Sequence, residues 1–128
     1  MSEGEKKLIL VVDDEAMNLI VLGKILTKSG YEVMTASNGE EAIETVKSAN
    51  PLPDLILMDL MMPQMSGWDA TKILKETKET QHIPVVAVTA LSNERESTLE
   101  FGFDDFCPKP IDFDALDSII KRYLKKSA

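Results

Sequence analysis

Asp59 closes an unbroken apolar run, Leu55-Ile56-Leu57-Met58, and is followed at once by Leu60-Met61-Met62-Pro63-Gln64-Met65-Ser66-Gly67. A run of that kind suits a strand buried on both faces, and in an open parallel sheet the reacting groups sit just beyond the carboxyl ends of such strands. Asp59 therefore reads as a chemically active carboxylate. A second run, Leu8-Ile9-Leu10-Val11-Val12, ends in Asp13-Asp14-Glu15. If the two strands are neighbours, three or four carboxylates meet in one small volume, where like charges raise one another's pKa unless a cation neutralises them. Oxygen ligands with no His or Cys among them favour a hard ion, and Mg2+ suits a site with few carboxylates and several retained waters. The single histidine, His82, stands at the entrance to a later strand and reads as a surface or edge residue.

Two further strand ends add the groups a phosphoryl oxygen needs. Ile83-Pro84-Val85-Val86-Ala87-Val88 leads into Thr89-Ala90, a hydroxyl beside a small side chain, and Asp105-Phe106-Cys107-Pro108 leads into Lys109-Pro110. The Lys109 ammonium can pair with a carboxylate when the site is empty and with a phosphoryl oxygen when it is full. Phosphoryl transfer asks for an in-line nucleophile, a bridging cation and donors that absorb spreading charge. Asp59, the acids near the start of the chain, Thr89 and Lys109 fill those roles one by one.

In order and spacing these motifs resemble the receiver domain of two-component response regulators. They are Val12-Asp13-Asp14-Glu15, Asp54-Leu55-Ile56-Leu57-Met58-Asp59 with Met62-Pro63, Val88-Thr89-Ala90 and Lys109-Pro110, and the match runs through essentially the whole chain. The resemblance implies that Asp59 is the phosphoacceptor, taking its phosphoryl group from a histidine kinase or histidine phosphotransferase. It implies Asp14 as a direct Mg2+ ligand, Asp13 as a ligand through water, and the main-chain carbonyl of Met61 as a third protein ligand. Thr89 and Lys109 would grip the phosphoryl group, and the Lys109–Pro110 peptide bond would be cis. Thr89 would then move toward the phosphate and Phe106 would take the vacated space, so that helix 4, strand 5 and helix 5 report the change. Phe106 lacks a hydroxyl, so the switch must work through packing; a static core phenylalanine is the plainer alternative.

The elements that must position these residues alternate as five βα units. The helix after Asp14 runs to about Ser29 before Gly30, with Leu19, Leu22, Ile25 and Leu26 at helical spacing. Strand 2 covers Tyr31 to Ala36; Asn38 caps helix 2, with Glu41 in a capping-box arrangement, and Ile43 and Val46 on its inner face. Helix 3 is expected from Gly67 or Trp68 to Thr77, helix 4 from Ser92 to Phe101 and helix 5 from Asp112 to Lys126. Strands separated by helices imply right-handed crossovers and a parallel sheet covered on both faces, a three-layer α/β sandwich. The flavodoxin-like order 2-1-3-4-5 follows from the resemblance. It puts strand 5 on an edge, where Pro108 is tolerated.

The chain has 128 residues, 44% of them hydrophobic, and a net charge of −8 from 22 acids and 14 bases. That length suits one domain, 1–128 with a core of about 6–126, and the acidic balance argues against a nucleic-acid or anionic-membrane partner. No membrane-spanning run or signal-peptide core is visible, so a cytoplasmic protein is expected, a monomer or a weak phosphorylation-dependent dimer. Cys107, the lone cysteine, reads as packing. Two rival functions fit less well. A haloacid-dehalogenase-type phosphatase carries its nucleophile in an Asp-x-Asp motif on the first strand, whereas this chain has Asp13-Asp14-Glu15. A flavodoxin-like cofactor binder needs a hydroxyl- or glycine-rich loop after strand 1, where acids would repel a phosphate. Ser66 and Trp68 depart from the commonest receiver pattern, with Trp68 either a partner contact or partly buried. Met61 and Leu91 put apolar side chains where water must approach an acyl phosphate, which predicts slow self-dephosphorylation.

Overall fold

The computed structural model describes residues 6–62, 65–90 and 95–124. Five strands, β1 (Leu8–Val12), β2 (Glu32–Ala36), β3 (Leu55–Asp59), β4 (Val85–Thr89) and β5 (Asp105–Pro108), form one sheet in the order β2-β1-β3-β4-β5. Every pairing is parallel. Five helices alternate with them: α1 (Ala16–Lys28), α2 (Gly39–Ser48), α3 (Gly67–Glu76), α4 (Arg95–Phe101) and α5 (Phe113–Tyr123). The expected three-layer sandwich and strand order are those of the molecule.

The period-two geometry of strands explains why the inner runs are apolar at every position. Leu10, Val12, Ile56, Met58, Val85, Ala87 and Phe106 pack with Ala42, Ile43 and Val46 of α2 and Ala70 and Leu74 of α3. Their neighbours Ile9, Val11, Leu55, Leu57, Val86, Val88 and Cys107 pack instead with Leu22 and Leu26 of α1 and Leu116, Ile119 and Ile120 of α5. Burial on both faces is what holds the strand ends in register, with Val12 opposite Met58 and Asp59 opposite Val88.

Side chains lock the far ends of the strands as well. Asp54 accepts the Leu8 N–H at 2.8 Å, and Asp104 accepts the Val85 N–H at 2.8 Å while pairing with Lys75 at 2.8 Å. Asp105, buried in the edge strand, accepts hydrogen bonds from Arg122 and Tyr123 and so ties the end of α5 to β5. Such ties satisfy polar groups that would otherwise be costly where they are sheltered from water.

Helix ends differ in detail from expectation. Asn38 accepts the Glu41 N–H at 2.7 Å as a cap should, but the Glu41 carboxylate reaches one residue further back than a capping box requires, accepting the Ser37 N–H at 2.7 Å and its hydroxyl at 2.6 Å. The two bonds from Ser37 hold that carboxyl below its usual range. Helix α5 ends at Tyr123; the expected extension to Lys126 and the expected start of α4 at Ser92 fall on positions outside the described residues, as does Leu91. Among the described residues no helix is long and apolar enough to cross a membrane.

Candidate phosphoryl and metal site

Strand register brings the sequence-predicted acids together. One carboxylate oxygen from each of Asp13, Asp14 and Asp59 lies within 4.8 Å of the others. Asp13 and Asp59 are buried and Asp14 is exposed, so the cluster opens to solvent on one side. Asp59 Oδ1 accepts the Met61 N–H at 3.1 Å, the next turn of chain folding back over the acid that precedes it.

Lys109 enters the same rim from the carboxyl end of the edge strand β5. Its N–H donates to the Thr89 carbonyl at 2.8 Å, and the Lys109–Pro110 bond is cis. The ammonium stands 3.2 Å from Asp13 Oδ2 and 3.5 Å from Asp59 Oδ2, bridging the two buried acids. Thr89, fully buried, is the last residue of β4, one position beyond the register partner of Asp59. Phe106 is buried on the α2–α3 side of the sheet. His82 is exposed, in line with its reading as a surface residue.

Electrostatics mark Asp59 out. Burial pushes its carboxyl up, and although the Met61 N–H and Lys109 pull it back, Asp13 and Asp14 add to the rise, leaving it at about 6. For Lys109 burial works against the ammonium, yet Asp59 and Asp13 more than offset it, so its pKa lies above the ordinary lysine value. Among the described residues one cation therefore serves two close buried acids, with a third at the rim. That donor set, all oxygen and short of positive charge, fits a hard divalent ion. Asp13, Asp14 and Asp59 are the side chains that would hold it.

Asn18 belongs to the same constellation, although its type and position alone gave no reason to single it out. Standing in the first turn of α1, it donates from Nδ2 to Asp13 Oδ2 at 3.1 Å and to Glu15 Oε1 at 2.8 Å. Glu15, the residue before the helix, makes no side-chain cap bond, and its own N–H donates to Asp13 Oδ1 at 2.9 Å. The only sequence signal is a helix-disfavoured Asn one turn past the acid pair.

Comparisons with known proteins agree on one family. The family model described as the response regulator receiver domain matches residues 9–121. The polar-differentiation response regulator DivK of Brucella anthropi is 37% identical over 120 residues, covering 92% of this chain and 96% of that protein. The response regulator PleD of Caulobacter vibrioides is 47% identical over 106 residues, covering 81% of this chain and 23% of that longer protein. Among solved structures, the response regulator TrrA of Thermotoga maritima, in complex with Mg2+-BeF, superposes with a TM-score of 0.82 at 33% identity, over 91% of this chain and 98% of its own.

Proposed function

The chain belongs to the response regulator receiver family, whose function is a phosphorylation-driven switch in two-component signalling, and from that premise we propose that Asp59 is its phosphoacceptor. The observation that carries this reading is the shared ammonium, Lys109 lying 3.2 Å from Asp13 and 3.5 Å from Asp59 within a cluster of three carboxylates. We further propose that the receiver domain comprises residues 1–128, that Asp14 binds Mg2+ directly and Asp13 through water, and that Asp59 and the Met61 carbonyl complete the protein's share. When bound there, Mg2+ supplies the charge that offsets the crowded oxygens of an incoming phosphoryl group.

The chain's own residues do the rest. With a pKa of about 6 Asp59 is mostly ionised at neutral pH, so a carboxylate oxygen is free to attack phosphorus. A bond forms between that oxygen and phosphorus as the bond from phosphorus to the donor breaks, and the electron pair leaves with the donor, the imidazole nitrogen of a phosphohistidine. Lys109 turns from the acids to a phosphoryl oxygen, and the Thr89 hydroxyl takes another. Each contact neutralises charge as it spreads over the transferred group. The protein thus promotes only its own phosphorylation and dephosphorylation.

The donor is a histidine kinase or histidine phosphotransferase, and a cytoplasmic location goes with that partner. An apolar strip on α1, Met17, Ile20 and Val21 at helical spacing, is exposed and supports docking of a protein donor close to Asp13 and Asp14. The new charge on Asp59 biases α4, β5 and α5 through Thr89 and Phe106. Because Phe106 is already buried in this state, its part is a change of packing partners within the core. The test is intact mass after incubation with acetyl phosphate and Mg2+. A gain of one phosphoryl group by the wild type and none by Asp59→Asn is expected; an equal gain in the variant would move the acceptor elsewhere.

A further inference from the structure

Trp68, the one tryptophan of the chain, has no task in phosphoryl transfer, yet its surroundings join the acceptor to α4. It follows Gly67, which packs directly on the end of β3: a Cβ placed on Gly67 would lie 2.2 Å from the Asp59 carbonyl oxygen and 3.0 Å from Leu60 Cα. The first residue of α3 and the strand end that carries the acceptor therefore have no slack between them. On its other side the Trp68 ring meets Phe101 edge-on at 5.0 Å and 86°, and Phe103 at 5.5 Å and 87°.

Phe101 is the last residue of α4, and Arg95, the first described residue of that helix, places its guanidinium 5.9 Å from the centroid of the Phe106 ring. Its seven described residues are too short a span to be stable on their own, so their position depends on contacts with the rest of the protein. These contacts hold the described part of the helix at its first and last residues. Phe101 also has room to turn, since its half-exposed ring lines a cavity of about 250 Å³ beside Thr71, Lys72, Lys75 and Glu76 of α3.

We propose that α4 receives the state of Asp59 by a second route, through Gly67, Trp68 and Phe101, separate from the one through Thr89 and Phe106. The Met61 N–H is bonded to the Asp59 carboxylate. Loading that carboxylate shifts Leu60 and Met61, the close contact of Gly67 with Asp59 and Leu60 passes the shift to Trp68, and the edge-on ring contact passes it to Phe101. The inference rests on Asp59 being the acceptor.

Because the tryptophan is single, its emission reports the surroundings of this one ring, which Phe101 and Phe103 share. The full-length protein is treated with acetyl phosphate and Mg2+ while emission and intact mass are followed together. Trp68 emission is expected to change in proportion to the phosphorylated fraction, and to change as much per phosphoryl group in Thr89→Ala and in Phe106→Leu. Coupling is reciprocal, so Phe101→Ala, remote from the carboxylates, should alter beryllofluoride affinity by about 2- to 30-fold, the range of couplings carried through packed side chains. Emission that stays constant while mass rises, emission that responds only when Thr89 and Phe106 are intact, or an unaltered affinity in Phe101→Ala would each overturn the second route. A mass that never rises would instead remove the acceptor assignment, and the inference with it.

Discussion

Lys109 Nζ lies 3.5 Å from Asp59 Oδ2, across the gap between the ends of two strands that are not sheet neighbours. Strand β4 stands between them, so the side chain must reach past Thr89 to find the acid. Its loss removes the one ammonium within salt-bridge distance of the acceptor among the described residues. Lys109→Ala is expected to slow phosphorylation by acetyl phosphate by roughly 100-fold, the usual cost of deleting one charge-stabilising donor. Lys109→Arg should not restore the rate, because a planar guanidinium cannot replace a compact ammonium in a crowded site. An unaltered rate in Lys109→Ala would show that the lysine is structural.

Asp59 costs the fold stability when ionised. Its pKa of about 6 is raised above the ordinary 3.8, so the folded state holds the proton more tightly than the unfolded state does. The penalty is complete above pH 6 and fades as pH falls from 6 toward 4. Asp59→Asn should therefore be more stable than the wild type at pH 7 without metal, on the order of 1–3 kcal/mol, with the advantage shrinking across that window. Urea melts at a series of pH values measure it; an advantage that grows on acidification would have the wrong sign.

Asn18 gives a prediction of opposite character. Asn18→Asp replaces two donors by a carboxylate 3.1 Å from Asp13. The metal-free protein should lose about 1–2 kcal/mol, while the added charge should strengthen Mg2+ binding. The rise in melting temperature on adding Mg2+ should then be larger in the variant than in the wild type. Equal rises would mean that Asn18 plays no part in the site.

Legibility followed the strength of the physical signal. Strands buried on both faces announce themselves as apolar runs, and residues at their carboxyl ends inherit one common rim, so Asp13, Asp14, Asp59, Thr89 and Lys109 could be named before any coordinates. Order within the sheet is a different matter, because nothing in periodicity distinguishes which neighbour Leu55–Asp59 will choose; that came from resemblance. Asn18 stayed hidden because a side-chain amide on a helix looks the same whether it faces water or a carboxylate. Glu41 was seen as a capping partner but aimed one residue short, since its reach depends on how the chain enters α2 at Ser37. Trp68 was conspicuous, while its contacts with Phe101 and Phe103 depend on how α3 and α4 approach one another in space.

Met61 bears on how long the signal lasts. Its side chain is exposed beside Asp59 and offers no polar atom to orient an attacking water. Purified phosphoprotein with Mg2+ should lose its phosphoryl group over minutes or longer, and Met61→Asn should shorten that time by supplying an amide. A lifetime of seconds in the wild type would contradict the expectation.

The most direct test is to locate the phosphoryl group chemically. Borohydride reduces an aspartyl phosphate to homoserine, so phosphorylated protein can be reduced, digested and read by tandem mass spectrometry. Homoserine at position 59 alone, absent when Mg2+ is withheld, is the predicted result. Homoserine at position 13 or 14, or none in protein whose mass shows a phosphoryl group, would contradict it.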